Sequence, residues 1–433
     1  MRQKIFQISP RVSPALVYLL ALFSSYAAAA DDKLFELVSE GLRSYPTILS
    51  RKVSRDAAET ELKAAKLRFL PNPSLNTQRN QVAYSGQSIS NQPATNVTVS
   101  QPIWMGGGLV AGYDKADARL SASDYALLEA RDDVSKRIIT SYAEWAKSYE
   151  KIMAYEENVR THEKLVTLIR NRNDQGVASG ADRDLAVSRL HQAQADLESA
   201  RGAESTALTA LSELVGHEVR RQDLLQKRAK HDQILRRADG IAKAQAINPT
   251  IHRFKFEADA AEAEAKEIRA QALPQVSLQA QRQIGNAYLP GAQGYDLYGL
   301  VVTYAPGGGF STVASASAAN ERARAARINV EAAKRDLTDK LNAEYNEYEF
   351  ALLKMENLRK AATLASDVSA SYDRQYLVGR KNWLDLMNAV REKAQNKAQL
   401  ADAEGSLLAA SRRLQVFYEG TMPFDDLTAS DRK

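Results

Sequence analysis

Cysteine is missing from all 433 residues of the chain. The sequence therefore predicts a protein without disulfide bonds, and without a lipid attached to a cysteine at its mature N-terminus. An oxidising compartment does not require disulfides, so this absence is compatible with the periplasm without indicating it.

Long apolar segments are also lacking. No segment approaches the roughly 20 uninterrupted apolar residues that a transmembrane helix needs, and the mean hydropathy is negative. A bundle of helices in lipid is therefore excluded. A β-barrel stays possible, because each of its strands gives only a weak hydropathy signal.

The signatures of catalytic, metal and phosphate sites are missing as well. No G-x-S-x-G or H-E-x-x-H motif occurs, and no Lys-Ser/Thr follows either of the two triple glycines. The five histidines form no i,i+4 pair for a metal, and most are expected to face solvent: His162, His191, His217, His231 and His252. We predict no enzymatic activity, no cofactor and no metal.

Residues 1–30 have the features of a secretion signal. A basic start is followed by an apolar segment from Ala15 to Phe23, and Ala28-Ala29-Ala30 offers a cleavage site. Without the three basic residues of this segment, 55 basic and 53 acidic residues remain, so the formal charge falls from +5 to +2. We therefore predict an exported protein that does not bind nucleic acid.

The rest of the chain is a tandem duplication. We assign residues 31–236 to a first repeat and residues 237–433 to a second. Matching residues recur in order at an offset of about 203, which slips to 201 at the triple glycines. The matched pairs are Pro46-Thr47-Ile48 with Pro249-Thr250-Ile251, Leu70-Pro71 with Leu273-Pro274, Gly106-Gly107-Gly108 with Gly307-Gly308-Gly309, Gly176 with Gly379, and Asp182 with Asp385.

Each repeat is predicted to contain a helix, a β-hairpin, a long helix, a turn and a further helix. The hairpins span residues 74–103 and 275–304, where apolar and polar residues alternate with the period of two that is typical of strands. A polar loop at residues 84–93 joins the first two strands. Apolar residues on one strand face are Val97, Val99 and Ile103 in the first repeat, and Val276, Leu278 and Ala280, then Tyr298, Leu300, Val302 and Tyr304, in the second.

After each triple glycine the spacing of apolar residues changes to three and four, the pattern of helices that pack along a narrow seam. The segment from Gly108 to Arg172 would measure about 100 Å as one helix. A shorter helix is predicted before each hairpin, the first at residues 51–69. The fold class is therefore mainly α with a small β part.

Four amphipathic strands cannot lie in lipid as an open sheet, because unpaired edge amides are costly in hydrocarbon. Several copies of the chain must close the sheet. Two copies would give eight strands and an interior filled by side chains, whereas three would give twelve strands and a passage. Aromatic residues near the strand ends fit interfacial girdles or ordinary strand propensity equally well: Phe69, Tyr84, Trp104, Tyr288, Tyr295 and Tyr304.

The chain closely resembles TolC-type outer-membrane efflux proteins in four features taken together. These are the duplicated hairpin, the Leu-Pro before each first strand, the triple glycines and the Gly-x5-Asp at each helical turn. The resemblance covers the whole mature chain. It implies a homotrimer in outer-membrane lipid, with a twelve-stranded β-barrel continued by a long periplasmic α-helical barrel. It also implies an equatorial belt from Gly216–Asn248 and the C-terminal tail, a barrel-to-helix transition at the triple glycines, and two partners: a periplasmic adaptor protein and an inner-membrane pump.

The resemblance also implies a gate at the second helical turn. Asp385 matches a pore aspartate of the family, and Asn388 stands where a second aspartate is found in the best-known members. Tyr376 and Lys381 match residues that tether the closed state, with Asp182 as an acidic partner. A helix-capping role is the alternative for both aspartates, because Asn382-x-x-Asp385 and Ser179-x-x-Asp182 each have the pattern of a helix N-terminus.

Three functions are compatible with the sequence. The first is an exit duct for type I protein secretion with an inner-membrane ABC exporter, which the lack of an N-terminal cysteine favours. The second is the outer-membrane channel of a small-molecule efflux pump. The third, a periplasmic coiled-coil adaptor or scaffold, would explain the helices but not the two hairpins.

Overall fold

The computed structural model describes residues 33–79, 82–84, 87–90, 93–225, 234–285, 294–305, 308 and 311–420. The predicted secretion signal, Gly307, Gly309 and the C-terminal tail after Gly420 lie outside these residues. The described residues form two compact units, to which both predicted repeats contribute. One, here called the helical unit, comprises the described residues of Met1–Leu49, Ala130–Asn248 and Thr338–Lys433; the other, the sheet unit, comprises those of Ser50–Glu129 and Pro249–Leu337.

The order of elements is nearly the same in the two halves of the chain. The first half contains α1 (Lys33–Ser44), α2 (Pro46–Leu67), β1 (Asn72–Arg79), β2 (Val82–Tyr84), β3 (Gln87–Ser90), β4 (Pro93–Trp104), α3 (Gly108–Asp174), α4 (Gly180–Val215) and α5 (Arg221–Leu225). The second contains α6 (Arg237–Ile247), α7 (Pro249–Ala270), β5 (Gln275–Ile284), β6 (Asp296–Thr303), α8 (Ser311–Leu377) and α9 (Trp383–Glu419). The mainly helical, duplicated fold is confirmed.

Two boundaries differ from the prediction. Helix α2 begins at Pro46 rather than residue 51, because proline lacks an amide hydrogen and fits the first turn of a helix. Strand β1 stops at Arg79, and the short hairpin of β2 and β3 takes up half of the loop predicted at residues 84–93. That segment is rich in Ser, Gly and Gln and offered no alternating apolar pattern.

The four long strands form one antiparallel sheet in the order β1-β4-β5-β6. Its register places apolar residues of all four strands opposite one another on one face, because directly paired residues point to the same side. This face, here called the apolar face, carries the apolar residues Pro73, Leu75, Val97, Val99, Val276, Leu278, Ala280, Tyr298, Leu300 and Val302; it also carries Thr77, Arg79, Thr95, Gln101, Arg282 and Asp296. The other face carries Ser74, Asn76, Asn96, Thr98, Ser100, Ser277, Gln279 and Gln281.

The apolar face is largely uncovered in the single chain. Leu75 is 71% exposed, Leu300 64% and Tyr298 75%. Strands β1 and β6 each have one edge that pairs with no described strand. A one-sided apolar sheet with two open edges is incomplete as it stands.

The core of the helical unit follows the predicted apolar stripes. Val134, Ile138, Tyr142 and Trp145 of α3 are almost completely buried, as are Leu341 and Tyr345 of α8. Small and medium residues of α4 and α9 pack against these long helices. Among the described residues, no helix combines the length and the apolar character needed to span a membrane.

Candidate functional site

Two helical turns in the helical unit have the same backbone. Gly176 follows α3 with φ of 70°, and Gly379 follows α8 with φ of 74°. In each turn the next residue donates its amide to the carbonyl five positions earlier, from Val177 to Arg172 and from Arg380 to Gln375. Each helix thus ends in a Schellman motif, for which glycine is favoured because of its positive φ. The duplication has kept the turn geometry.

An apolar cluster holds the ends of four helices together at these turns. We call it the turn cluster; it consists of Leu165, Val166 and Ile169 of α3, Ala186 of α4, Tyr376 of α8, and Leu386, Met387 and Val390 of α9. Its side chains are all less than 6% exposed. The candidate gate residues of the second turn are therefore anchored in a packed core.

Asp182 acts as half of a capping box at the start of α4. The Ser179 hydroxyl accepts from the Asp182 amide at 3.1 Å, and the Asp182 carboxylate accepts from both the amide and the hydroxyl of Ser179, at 3.2 and 2.8 Å. This reciprocal arrangement satisfies amides that the helix itself leaves unpaired. Within one chain, the geometry favours the capping role for Asp182.

Asp385 is placed differently although it occupies the matching position. Asn382 caps α9 by accepting from the Leu384 amide at 3.3 Å, and the Asp385 carboxylate lies 3.5 Å from the Lys381 ammonium. The Asp385 side chain is 48% exposed. Asn388, one turn later, is also exposed. Asp385 and Asn388 thus offer their polar groups to the surroundings of the helix.

Lys381 lies between an aromatic ring and a carboxylate. Its ammonium is 4.4 Å from the centre of the Tyr372 ring and 3.5 Å from Asp385. These two neighbours, Tyr372 first, raise the pKa of Lys381 above its ordinary value. The lysine therefore carries its charge directly beside the candidate pore aspartate.

Tyr376 has a partner that the sequence did not reveal. Its side chain is 4% exposed, its hydroxyl accepts from the Arg172 guanidinium at 3.1 Å, and the guanidinium carbon lies 5.1 Å from the ring centre. A basic residue is favoured in the last turn of any helix, so nothing in the sequence singled Arg172 out. Within one chain Tyr376, Lys381 and Asp182 are thus engaged with three different partners.

Three charged side chains join α3 to α9 beyond the turn cluster, further from the two turns. The two oxygens of Glu157 accept from the Lys393 and Lys397 ammonium groups, each at 2.6 Å. Burial alone would raise the pKa of Glu157, but the two lysines outweigh it and hold that pKa below its usual value. Sequence analysis missed this group because the partners are more than 230 positions apart.

At the first triple glycine the chain passes from β4 into α3 within the sheet unit. Gly106 and Gly107 have φ of 62° and 86°, and Gly108 begins the helix. A Cβ atom on Gly106 would lie 2.8 Å from the Ala270 carbonyl oxygen, whereas one on Gly107 would meet nothing within 4 Å. Gly106 is therefore required by both conformation and space. Of the second triple glycine, only Gly308 lies among the described residues.

Comparison with known proteins gives a consistent result. The family model described as "Outer membrane efflux protein" matches residues 37–217. The outer membrane protein VceC from Vibrio cholerae is similar in structure, with a TM-score of 0.76 at 17% identity, and the match covers 90% of this chain and 96% of VceC. The outer-membrane channel OprN gives a TM-score of 0.78 at 16% identity, covering 91% of this chain and 92% of OprN. The Campylobacter jejuni CmeC outer membrane channel gives a TM-score of 0.72 at 16% identity, covering 89% of this chain and 86% of CmeC. None of the curated proteins matches this chain.

At such low identity the structural likeness establishes the fold. The matched portions reach nine-tenths or more of each chain. The family model covers most of the first repeat independently. The resemblance to outer-membrane efflux proteins that the sequence motifs carried is confirmed.

Proposed function

We propose that this chain, which has the fold of outer-membrane efflux channels, forms the exit duct of a tripartite export system. In this proposal, three copies close one β-barrel in the outer membrane, and their long helices form a conduit in the periplasm. The single observation that carries the proposal is the apolar face of the four-stranded sheet, exposed and bounded by two unpaired edges.

The sheet supports closure by three copies. In lipid, the free edges of β1 and β6 need partners for their backbone groups, and the β6 edge of one chain can pair with the β1 edge of the next. The apolar face would then turn to lipid, and the polar face, with Ser100 and Gln279, would line the interior. Twelve strands leave room for a passage, whereas eight fill their interior with side chains.

The helical unit supports a gated conduit. Helices of 67 residues reach about 100 Å, a length suited to crossing a compartment rather than to building a globular core. We assign the pore constriction to Asp385 and Asn388, whose side chains are not enclosed by their own chain. We assign the closing contacts to Tyr376 and Lys381, held within the chain by Arg172 and Asp385. Asp182 would contribute between chains only if its capping box opened.

A passive duct takes its selectivity from its partners. We propose a periplasmic adaptor and an inner-membrane ABC exporter, with a secreted protein as cargo, because the chain has no cysteine for the lipid anchor found in many drug-efflux members. Small-molecule efflux is the second candidate, favoured by the description of the matching family model.

Oligomeric state and conductance test the duct. We expect mass measurement in detergent to give three chains, and the purified protein to form channels in planar bilayers. A stable monomer that inserts no channel would refute the shared barrel.

The cargo is tested by deleting the gene in its host. Loss of a protein from the culture medium with unchanged drug susceptibility supports secretion. Raised drug susceptibility with an unchanged set of secreted proteins supports efflux. Complementation with the intact gene should restore whichever property is lost.

A further inference from the structure

A layer of buried polar residues interrupts the apolar packing of the helical unit next to the turn cluster. Asn158 and His162, four residues apart on the same side of α3, are 6% and 3% exposed. Along α3 they lie between Ile152 of one apolar cluster and Leu165 of the turn cluster. Such a layer is costly unless every polar atom has a partner.

Two atoms in this layer have no hydrogen-bond partner among the described residues. They are the Asn158 Oδ1 and the His162 Nδ1. Asn158 lines a small cavity together with Ser369 of α8 and Lys393 of α9, where Lys393 is already paired with Glu157. His162, one turn further along α3, keeps an open nitrogen in the interior.

The charges that act on His162 are both positive. Arg189 reaches it from α4 and Arg391 from α9, and no described carboxylate acts on it. On α8, the residue that lines the cavity beside Asn158 is the uncharged Ser369. Burial first, and then the two arginines, lowers the pKa of His162 from 6.5 to about 4. At neutral pH the ring is therefore neutral, and a proton would add a third positive charge in the core.

Repulsion from this charge would act directly on the start of α9. Arg391 follows Val390, which belongs to the turn cluster with Leu386 and Met387. All three lie within the first turns of the helix that begins at Trp383. The Arg391 side chain is exposed, whereas the His162 ring is enclosed, so a charge on the ring reaches solvent only if the helices around it, including the first turns of α9, move apart.

We infer that His162 is a buried proton-binding site through which external acid loosens the packing of α9 against α3 at the turn cluster. The inference rests on the proposed function for its setting, since a periplasmic segment meets the external pH. Because the pKa of His162 is lower in the packed state than in an opened one, the opened state binds the proton more readily. The packed state is therefore most favoured above pH 6.5, and this advantage is lost as the pH falls from 6.5 to about 4. Full protonation would therefore shift the opening equilibrium by up to about 300-fold.

The test is amide hydrogen exchange of α9, measured on the purified full-length protein from pH 7 to pH 5, above the range in which Glu157 loses its charge, and corrected for intrinsic exchange. In the wild type we expect the protection of residues 383–397 to fall by at least tenfold across this range. His162→Gln should abolish this fall. His191→Gln is the matched control, because His191 is an exposed histidine on α4 that bonds only to Gln194; this variant should behave like the wild type.

Arg391→Gln provides a second, directional test at an exposed position. Removing one positive neighbour raises the pKa of His162 in the packed state, so the loss of protection should still begin near pH 6.5 but should end at higher pH and be smaller in total than in the wild type. A loss that persists in His162→Gln, or a loss in Arg391→Gln that equals that of the wild type, would overturn the inference. If His162→Gln fails to fold, Arg391→Gln decides alone. Absent bilayer channels would count against the proposed duct, whereas the exchange results bear on His162 in either case.

Discussion

Two adjacent residues of β4 provide the sharpest test of the sheet. Val99 pairs with Pro73 and Ala280 on the apolar face, and Ser100 pairs with Asn72 and Gln279 on the polar face. If the apolar face meets lipid, Val99→Arg places a charge in hydrocarbon, and Ser100→Arg places the same charge in the channel interior. An arginine on the lipid face near mid-membrane costs about 2–4 kcal/mol.

The cost applies once for each copy of the chain in the closed barrel. Three copies sharing one barrel would lose about 6–12 kcal/mol in Val99→Arg, which is comparable to the whole stability of many domains. The assay is the fraction of SDS-resistant trimer in outer-membrane fractions as temperature rises. We expect Val99→Arg to abolish this trimer and Ser100→Arg to retain most of it. Equal assembly of the two variants would show that the sheet faces are misassigned, since the two positions are adjacent in one strand and receive the same charge.

Three further changes have defined outcomes. Gly106→Ala should lower the melting temperature more than Gly107→Ala. Both glycines have positive φ, but only at Gly106 would an added Cβ lie 2.8 Å from a carbonyl oxygen. Equal melting temperatures would contradict the contact. Asp182→Asn should reduce stability by about 1 kcal/mol and leave ion preference in bilayers unchanged, as expected for a capping residue. The ionised Glu157 carboxylate contributes stability above the usual glutamate pKa, and this contribution is lost as acid protonates it. Glu157→Gln should remove the contribution, so the melting temperature of this variant should depend less on pH below about 4.5 than that of the wild type.

The elements that repeat and alternate could be predicted from the sequence. Strands β4 and β5 were placed within one or two residues, because alternation of apolar and polar residues directly reports a sheet with one apolar face. The helix after the first triple glycine was placed equally well, since apolar residues spaced by three and four continue along it. The hairpin of β2 and β3 was missed because a polar segment has no period to read.

Contacts between distant segments could not be predicted. Arg172 and Tyr376 are 204 positions apart, and Glu157 and Lys393 are 236 apart. Their residue types are common on helices, so only the packing of four helix ends selects these partners. His162 illustrates the same limit, since a histidine among charged neighbours on a long helix was expected to face solvent, yet it is 3% exposed.

The two turns show why the backbone of the site was easier to predict than its chemistry. Gly176 and Gly379 adopt the same conformation, because a helix that must reverse within five residues needs a left-handed residue there. The aspartates that follow face a weaker constraint. Ser179 can form a reciprocal box and so occupies the carboxylate of Asp182, whereas Asn382 caps through its own amide oxygen and leaves Asp385 beside Lys381. One substitution at the capping position thus frees a charge in the second repeat, and a duplicated fold acquires two ends with different chemical properties.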